Sequence, residues 1–139
     1  MNQPSQPGPA EYGPQHTPYD AMGGEAPVRA LANAFYECMD SNPAYAALRG
    51  LHAPDLVPMQ ETFFEFLSGW LGGPQLYVQK HGHPRLRMRH ARFPVDVSMR
   101  DQWLACMGEA MDRCGVQGDI RTFLDARFAQ VADFMRNTD

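Results

Sequence analysis

Apolar residues in this chain recur at steps of three and four, and no stretch alternates with period two for long enough to build a strand. That periodicity predicts amphipathic helices separated by proline and glycine breaks. The first predicted helix starts at Glu25, after the Gly23-Gly24 turn, with Val28, Leu31, Phe35 and Met39 along one face. It stops at Asn42-Pro43, because proline disfavours helix at the preceding residue. A short helical piece is expected over 44–51, with a corner at His52-Ala53-Pro54-Asp55. The next helix spans about 58–71, striped by Met59, Phe63, Phe66, Leu67 and Trp70, and Gly72-Gly73-Pro74 ends it. Residues 75–84 read as irregular, and 85–91 as a short helix after Pro84. A long helix covers about 98–113, with Trp103, Met107, Ala110 and Met111 on one face. The last covers about 120–136, with Asp119 as N-cap and Ile120, Phe123, Leu124, Phe128, Val131, Phe134 and Met135 inward. The predicted fold class is therefore all-α, with four substantial helices.

The chain has 139 residues, of which 44% are hydrophobic, enough for one domain with a single core. Residues 1–17 are rich in Pro, Gly, Gln and Ser and read as a flexible extension; 18–139 read as the folded domain. A net charge of −4 argues against nucleic acid as a partner, since a phosphate backbone needs a basic face. No apolar run reaches the length of a membrane span. The first basic residue, Arg29, comes too late for the charged start of a signal peptide, so cytoplasm is the expected compartment. Cys38, Cys106 and Cys114 form no CxxC pair and read as buried free thiols.

Three groups of residues could carry chemistry. His81, His83 and His90 flank an arginine-rich stretch, but the H-x-H spacing suits a strand better than a helix, which argues against a bare zinc site. On a short helix His90 shares a face with Leu86, and Phe93 follows three residues later. That setting suits either a core histidine bonded to a carbonyl or a metal-ligating imidazole whose other N–H is tied down. Arg85, Arg87, Arg89 and Arg92 form either a solvated face or a seat for a carboxylate-bearing ligand. Tyr36 and Trp103 lie on or beside inward stripes of two helices, and a buried hydroxyl or indole N–H requires a partner.

The run Gly82-His83-Pro84-Arg85-Leu86-Arg87-Met88-Arg89-His90-Ala91-Arg92-Phe93, preceded by Gly72-Gly73-Pro74 and Tyr77, resembles the truncated haemoglobins of group II. So do Tyr19-Asp20-Ala21-Met22-Gly23-Gly24-Glu25 leading to Phe35-Tyr36, and the downstream Arg100-Asp101-Gln102-Trp103-Leu104-Ala105-Cys106-Met107. The resemblance covers residues 18–136. It implies a two-over-two helical sandwich around haem b, with His90 as the iron ligand. It implies Tyr36, Trp103 and His52 as the residues facing a bound diatomic ligand. Met59, at a position usually small or polar in this group, Phe63, Phe66, Tyr77, Leu86, Arg89, Phe93, Val95 and Met107 are the implied haem contacts, with Arg89 pairing a propionate. The implied ligands are O2, NO, CO and peroxide, with an unidentified reductase and a monomer or homodimer. Strong hydrogen bonding favours O2, NO or peroxide chemistry, such as NO dioxygenase or peroxidase-like turnover, over oxygen transport. The competing readings are a haem-based gas sensor acting through a partner and a cofactor-free helical interaction protein.

Overall fold

The computed structural model describes residues 12–89, 91 and 93–138; the expectations for His90 and Arg92, and for the side chains of Arg87 and Arg89, lie outside the described residues. The described residues form helices joined by short turns, with a single isolated bridge between Gly13 and His16 as the only β pairing among them.

Contacts begin before the first helix. Tyr12 stacks on His16 and meets the Phe123 ring edge-on at 4.6 Å. Helix α1 (Pro18–Met22) is capped by Thr17, whose hydroxyl accepts from the Asp20 N–H at 3.0 Å. The Tyr19 N–H donates to the Leu71 carbonyl at 2.9 Å, bringing the Tyr19 ring onto Gly73. A Cβ at Gly73 would collide with that ring, so this close approach requires glycine.

Helix α2 (Glu25–Ser41) forms the centre of the molecule. Val28, Leu31, Ala32, Phe35, Cys38 and Met39 are buried along its inner face. Asn42 is extended at φ −100°, ψ 115°, as the following proline demands, and its side chain caps a 3-10 turn (Pro43–Tyr45). Helix α3 (Ala46–Arg49) follows. Arg49 ion-pairs with Asp40 and donates to the carbonyls of Ala53 and Pro54, which folds the corner carrying His52. Helix α4 (Val57–Trp70) accommodates Pro58 in its first turn and buries Phe64, Leu67 and Ser68.

Residues 75–84, expected to be irregular, contain helix α5 (Leu76–His81). Its six residues are too short to display a periodicity, and tertiary contacts with α4 hold it. Glu65 of α4 is buried, yet its carboxylate takes Lys80 Nζ and lies 3.5 Å from His81 Nε2, both on α5. Helix α6 (Leu86–Arg89) is a single turn, preceded by Arg85 at φ 48°, where the Arg85 N–H donates to His83 Nδ1 at 3.1 Å.

Helix α7 (Val97–Arg113) begins at Asp96, whose carboxylate accepts from the Met99 N–H at 2.8 Å. Helix α8 (Asp119–Met135) starts after Gly118, so Asp119 is the first helical residue and no side chain caps this end. Phe134, expected inward, is 58% exposed. It lies about 100° around the helix from the Leu124–Phe128–Met135 line, outside the core-facing stripe. Helix α2 packs on α4 and α7, and α7 packs on α8. These four helices enclose the core, with α5 packed on α4 and α6 touching α8.

Candidate functional site

Tyr36 sits one residue beyond the inner stripe of α2 and is 5% exposed. Its ring meets three others edge-on: Phe35 at 5.2 Å, His52 at 5.7 Å and Phe63 at 5.8 Å. Burial drives the Tyr36 hydroxyl pKa well above its ordinary value, with the nearby Cys106 thiol adding to the effect. Tyr36 is therefore a neutral hydrogen-bond donor at any physiological pH. Among the described residues its hydroxyl has no hydrogen-bond partner, and it stays free to meet a ligand.

Trp103, half-buried on α7, contacts Phe35 at 5.4 Å and Phe128 at 5.6 Å. Its indole N–H also lacks a partner among the described residues. Phe35 thus lies between Tyr36 and Trp103 and links the two donors through one ring. His52 Nδ1 lies 3.0 Å from the Leu48 carbonyl. A carbonyl only accepts, so Nδ1 carries a proton and donates it.

Around these donors the aromatic side chains close a circuit. Phe35 contacts Phe63 at 5.2 Å, Phe63 stacks on Phe66 at 6.4 Å, and Phe66 stacks on Trp70 at 6.3 Å. Trp70 stacks on Phe128 at 5.0 Å, and Phe128 meets Trp103, which returns to Phe35. Phe63, Phe66, Trp70 and Trp103 are each half-buried, packed on the core from one side and uncovered on the other. Tyr77 of α5 meets Phe66 at 90° and 6.2 Å, and Tyr77 in turn packs on His81 at 4.7 Å. The Glu65 grip on Lys80 and His81 therefore also sets where Tyr77 stands.

Met59 is half-buried on α4, and Met107 is fully buried in the core. Leu86, Phe93 and Val95 are half-buried near α6. The segment from Phe93 to Val95 is held by Asn137. The Asn137 amide donates to the Phe93 carbonyl at 2.9 Å and accepts from the Val95 N–H at 2.9 Å, while its backbone N–H reaches the Val95 carbonyl at 3.0 Å. The structure thus brings Tyr36, His52 and Phe63 together, joins Trp103 to them through Phe35, and sets Phe66 against Tyr77.

Sequence reasoning missed Asn137, Glu65 and the wall positions of Phe35, Trp70 and Phe128. Phe35, Trp70 and Phe128 were legible as core stripe but not as one surface. No local signal marks Asn137, whose partners lie 42 and 44 residues away. Glu65 was readable as a charge within an apolar stripe.

A half-open aromatic surface with two unsatisfied donors beside it suits a flat, largely apolar group carrying a small polar ligand. Comparison with known proteins agrees in kind. The bacterial-like globin family matches residues 17–137. Group 2 truncated hemoglobin YjbI of Bacillus subtilis is 41% identical over 122 residues, covering 88% of this chain and 89% of that protein. The group II 2-on-2 hemoglobin from Agrobacterium tumefaciens superposes with a TM-score of 0.84 at 43% identity, covering 88% of this chain and 95% of that one. The truncated oxygen-avid haemoglobin of Bacillus subtilis superposes with a TM-score of 0.81 at 41% identity, covering 87% and 99%. With its helices in that arrangement and its length so fully matched, this chain belongs to the bacterial-like globin family and has the two-on-two fold of the truncated haemoglobins.

Proposed function

We propose that this globin carries haem b with His90 as the iron ligand, and that Tyr36 and Trp103 hold O2 by hydrogen bonds on the opposite side. The observation that carries the reading is Tyr36: a buried side chain whose neutral hydroxyl has no partner among the described residues, joined through Phe35 to Trp103, whose N–H is likewise without one. The fit to haem rests on the half-open surface of Phe63, Phe66, Trp70 and Trp103, which offers ring faces to a flat macrocycle. Met59, Leu86, Phe93 and Val95 supply further apolar contacts, Tyr77 the polar edge, and Arg89 the propionate partner, as the family pattern implies; Met107, fully buried, supports the core from behind instead.

When bound, haem supplies an iron with an open coordination position for a diatomic ligand. The protein's part is electrostatic. Tyr36 Oη–H and Trp103 Nε1–H are donors held in place before the ligand arrives, in a setting of low dielectric where each counts for more than in water. His52, anchored through Nδ1 to the Leu48 carbonyl, stands edge-on to Tyr36 as the third residue of the group. Burial keeps the Tyr36 hydroxyl protonated at neutral pH, so it has a proton to donate.

A hydrogen bond to a charged group contributes about 1.5–3 kcal/mol. Two such bonds slow ligand release by roughly two orders of magnitude or more. Retention of that kind favours reaction of held O2 with NO, or turnover of peroxide, over bulk oxygen transport. The oxygen-avid character named for the similar Bacillus subtilis protein is in line with this.

The test has two arms. Haem-reconstituted His90→Ala loses the Soret band of the wild type while keeping its helical circular dichroism. Tyr36→Phe, assayed by stopped-flow displacement of O2 with CO, releases O2 at least about tenfold faster. Intact haem binding in His90→Ala, or an unchanged O2 release rate in Tyr36→Phe, overturns the corresponding assignment.

A further inference from the structure

Arg29, Arg49, Arg100, Arg113, Arg121 and Arg136 each hold a carboxylate. Arg127, exposed on α8, holds none among the described residues. Its guanidinium instead lies 5.4 Å from the centre of the Trp70 ring and 5.7 Å from that of Phe123. These three side chains border a hollow of about 510 Å³ between residues 12–18, the end of α4 and the outer face of α8. Tyr12 walls it beside Phe123, and Leu71 lines it further. Its size falls within the range of small-molecule sites, roughly 300–1,000 Å³.

The charge in this hollow is arranged by position. Burial and the neighbouring Asp119 carboxylate both raise the Tyr12 hydroxyl pKa, so the Tyr12 side is the electronegative one. Arg127 lies two helical turns beyond Asp119 on α8 and offers a planar fork with no carboxylate in it. Three aromatic rings, those of Tyr12, Trp70 and Phe123, supply the apolar lining. Ring-to-ring contact favours a flat aromatic body beyond what buried area alone provides.

We propose that this hollow binds an aromatic monocarboxylate, its ring among Tyr12, Trp70 and Phe123 and its carboxylate on Arg127. The site lies apart from Tyr36 and His52. Trp70 is the one side chain shared with the aromatic circuit, through its stacking on Phe128 and Phe66.

The test is calorimetric titration of full-length, haem-loaded protein with 1-naphthoate, 1-naphthalenemethanol and decanoate. Saturable one-to-one binding of 1-naphthoate is expected. The neutral alcohol and Arg127→Gln each weaken binding roughly tenfold or more, since each deletes one half of a charged pair. Arg127→Lys recovers part of the loss, and Phe123→Ala weakens 1-naphthoate while leaving the helical melt cooperative. Equal affinity for 1-naphthoate in wild type and Arg127→Gln overturns the proposal. So does equal affinity for acid and alcohol, tighter binding of decanoate than of 1-naphthoate, or no saturable binding at millimolar probe.

Discussion

At the scale of single residues, the donors Tyr36 and Trp103 approach the same region from different helices, α2 and α7, with Phe35 between them. Each is set by packing rather than by a hydrogen bond of its own, so each is available to a ligand. Trp103→Phe keeps the ring contacts in outline and deletes the N–H; O2 release is expected to accelerate about tenfold or more. The double variant with Tyr36→Phe releases O2 faster than either single one, but by less than the product of the two factors if both donors reach the same ligand atom. Stopped-flow O2 displacement on the three proteins measures this coupling directly. A double variant no faster than Tyr36→Phe alone would remove Trp103 from the ligand's surroundings.

At the scale of elements, the stretch between α6 and α7 has little structure of its own and is held from outside. Asn137, just past the end of α8, makes three hydrogen bonds to Phe93 and Val95. Arg100 of α7 reaches Asp133 of α8 at 2.8 Å close by. Because residues 93–95 begin three positions after His90, Asn137→Ala is expected to speed haem transfer to an acceptor apoglobin severalfold. It should leave O2 release nearly unchanged, since it touches neither donor. An unaltered haem transfer rate would mean that the 93–95 stretch is held without Asn137. At the start of α7, Asp96→Ala removes the cap on the Met99 N–H and costs about 1 kcal/mol, readable as a lower midpoint in urea.

At the scale of the whole molecule, the core behind α2 and α7 contains groups that resist ionisation. Burial raises the Cys38 thiol to about 11 and the Cys106 thiol to about 12. Burial and the hydrogen bond to Glu109 push the Tyr45 hydroxyl up to about 12. Unfolded, these groups titrate near about 8.5 for thiols and about 10 for the phenol. A folded pKa above the unfolded one means that the unfolded chain loses its protons first. The stabilisation is complete below pH about 8.5 and is lost as pH climbs through 11 to 12. Glu109 works the other way. Hydrogen bonds from Asn42 and Tyr45 and the charge of Arg113 lower its pKa, so its contribution is present at neutral pH and fades on acidification below the ordinary carboxylate range. Thermal melts are expected to be flat around neutrality and to fall at both ends. Cys38→Ala combined with Cys106→Ala shifts the alkaline fall upward if the thiols cause it, and a fall at the same pH in that variant would assign it elsewhere.

The helical class, the four main helices and the breaks at Gly23-Gly24, Asn42-Pro43 and Gly72-Gly73-Pro74 were legible in the amino-acid sequence, because periodicity and backbone restriction are local properties. The group II pattern named Tyr36, Trp103 and His52 as companions, and the structure brings Tyr36 against His52 and joins Trp103 through Phe35. Other features depended on contacts between residues far apart in the chain. Helix α5 is too short to announce itself and exists by packing on α4. Phe134 shares a helix with the core stripe, but its position around α8 takes it off the buried face and leaves it exposed. The proton on His52 Nδ1 followed from the Leu48 carbonyl opposite it, and the clamp on Phe93–Val95 from an asparagine more than forty residues away. Sequence alone determined where helices run and which side chains can donate. Tertiary structure decided which donors remain unsatisfied, because that depends on every neighbour a folded chain brings within reach.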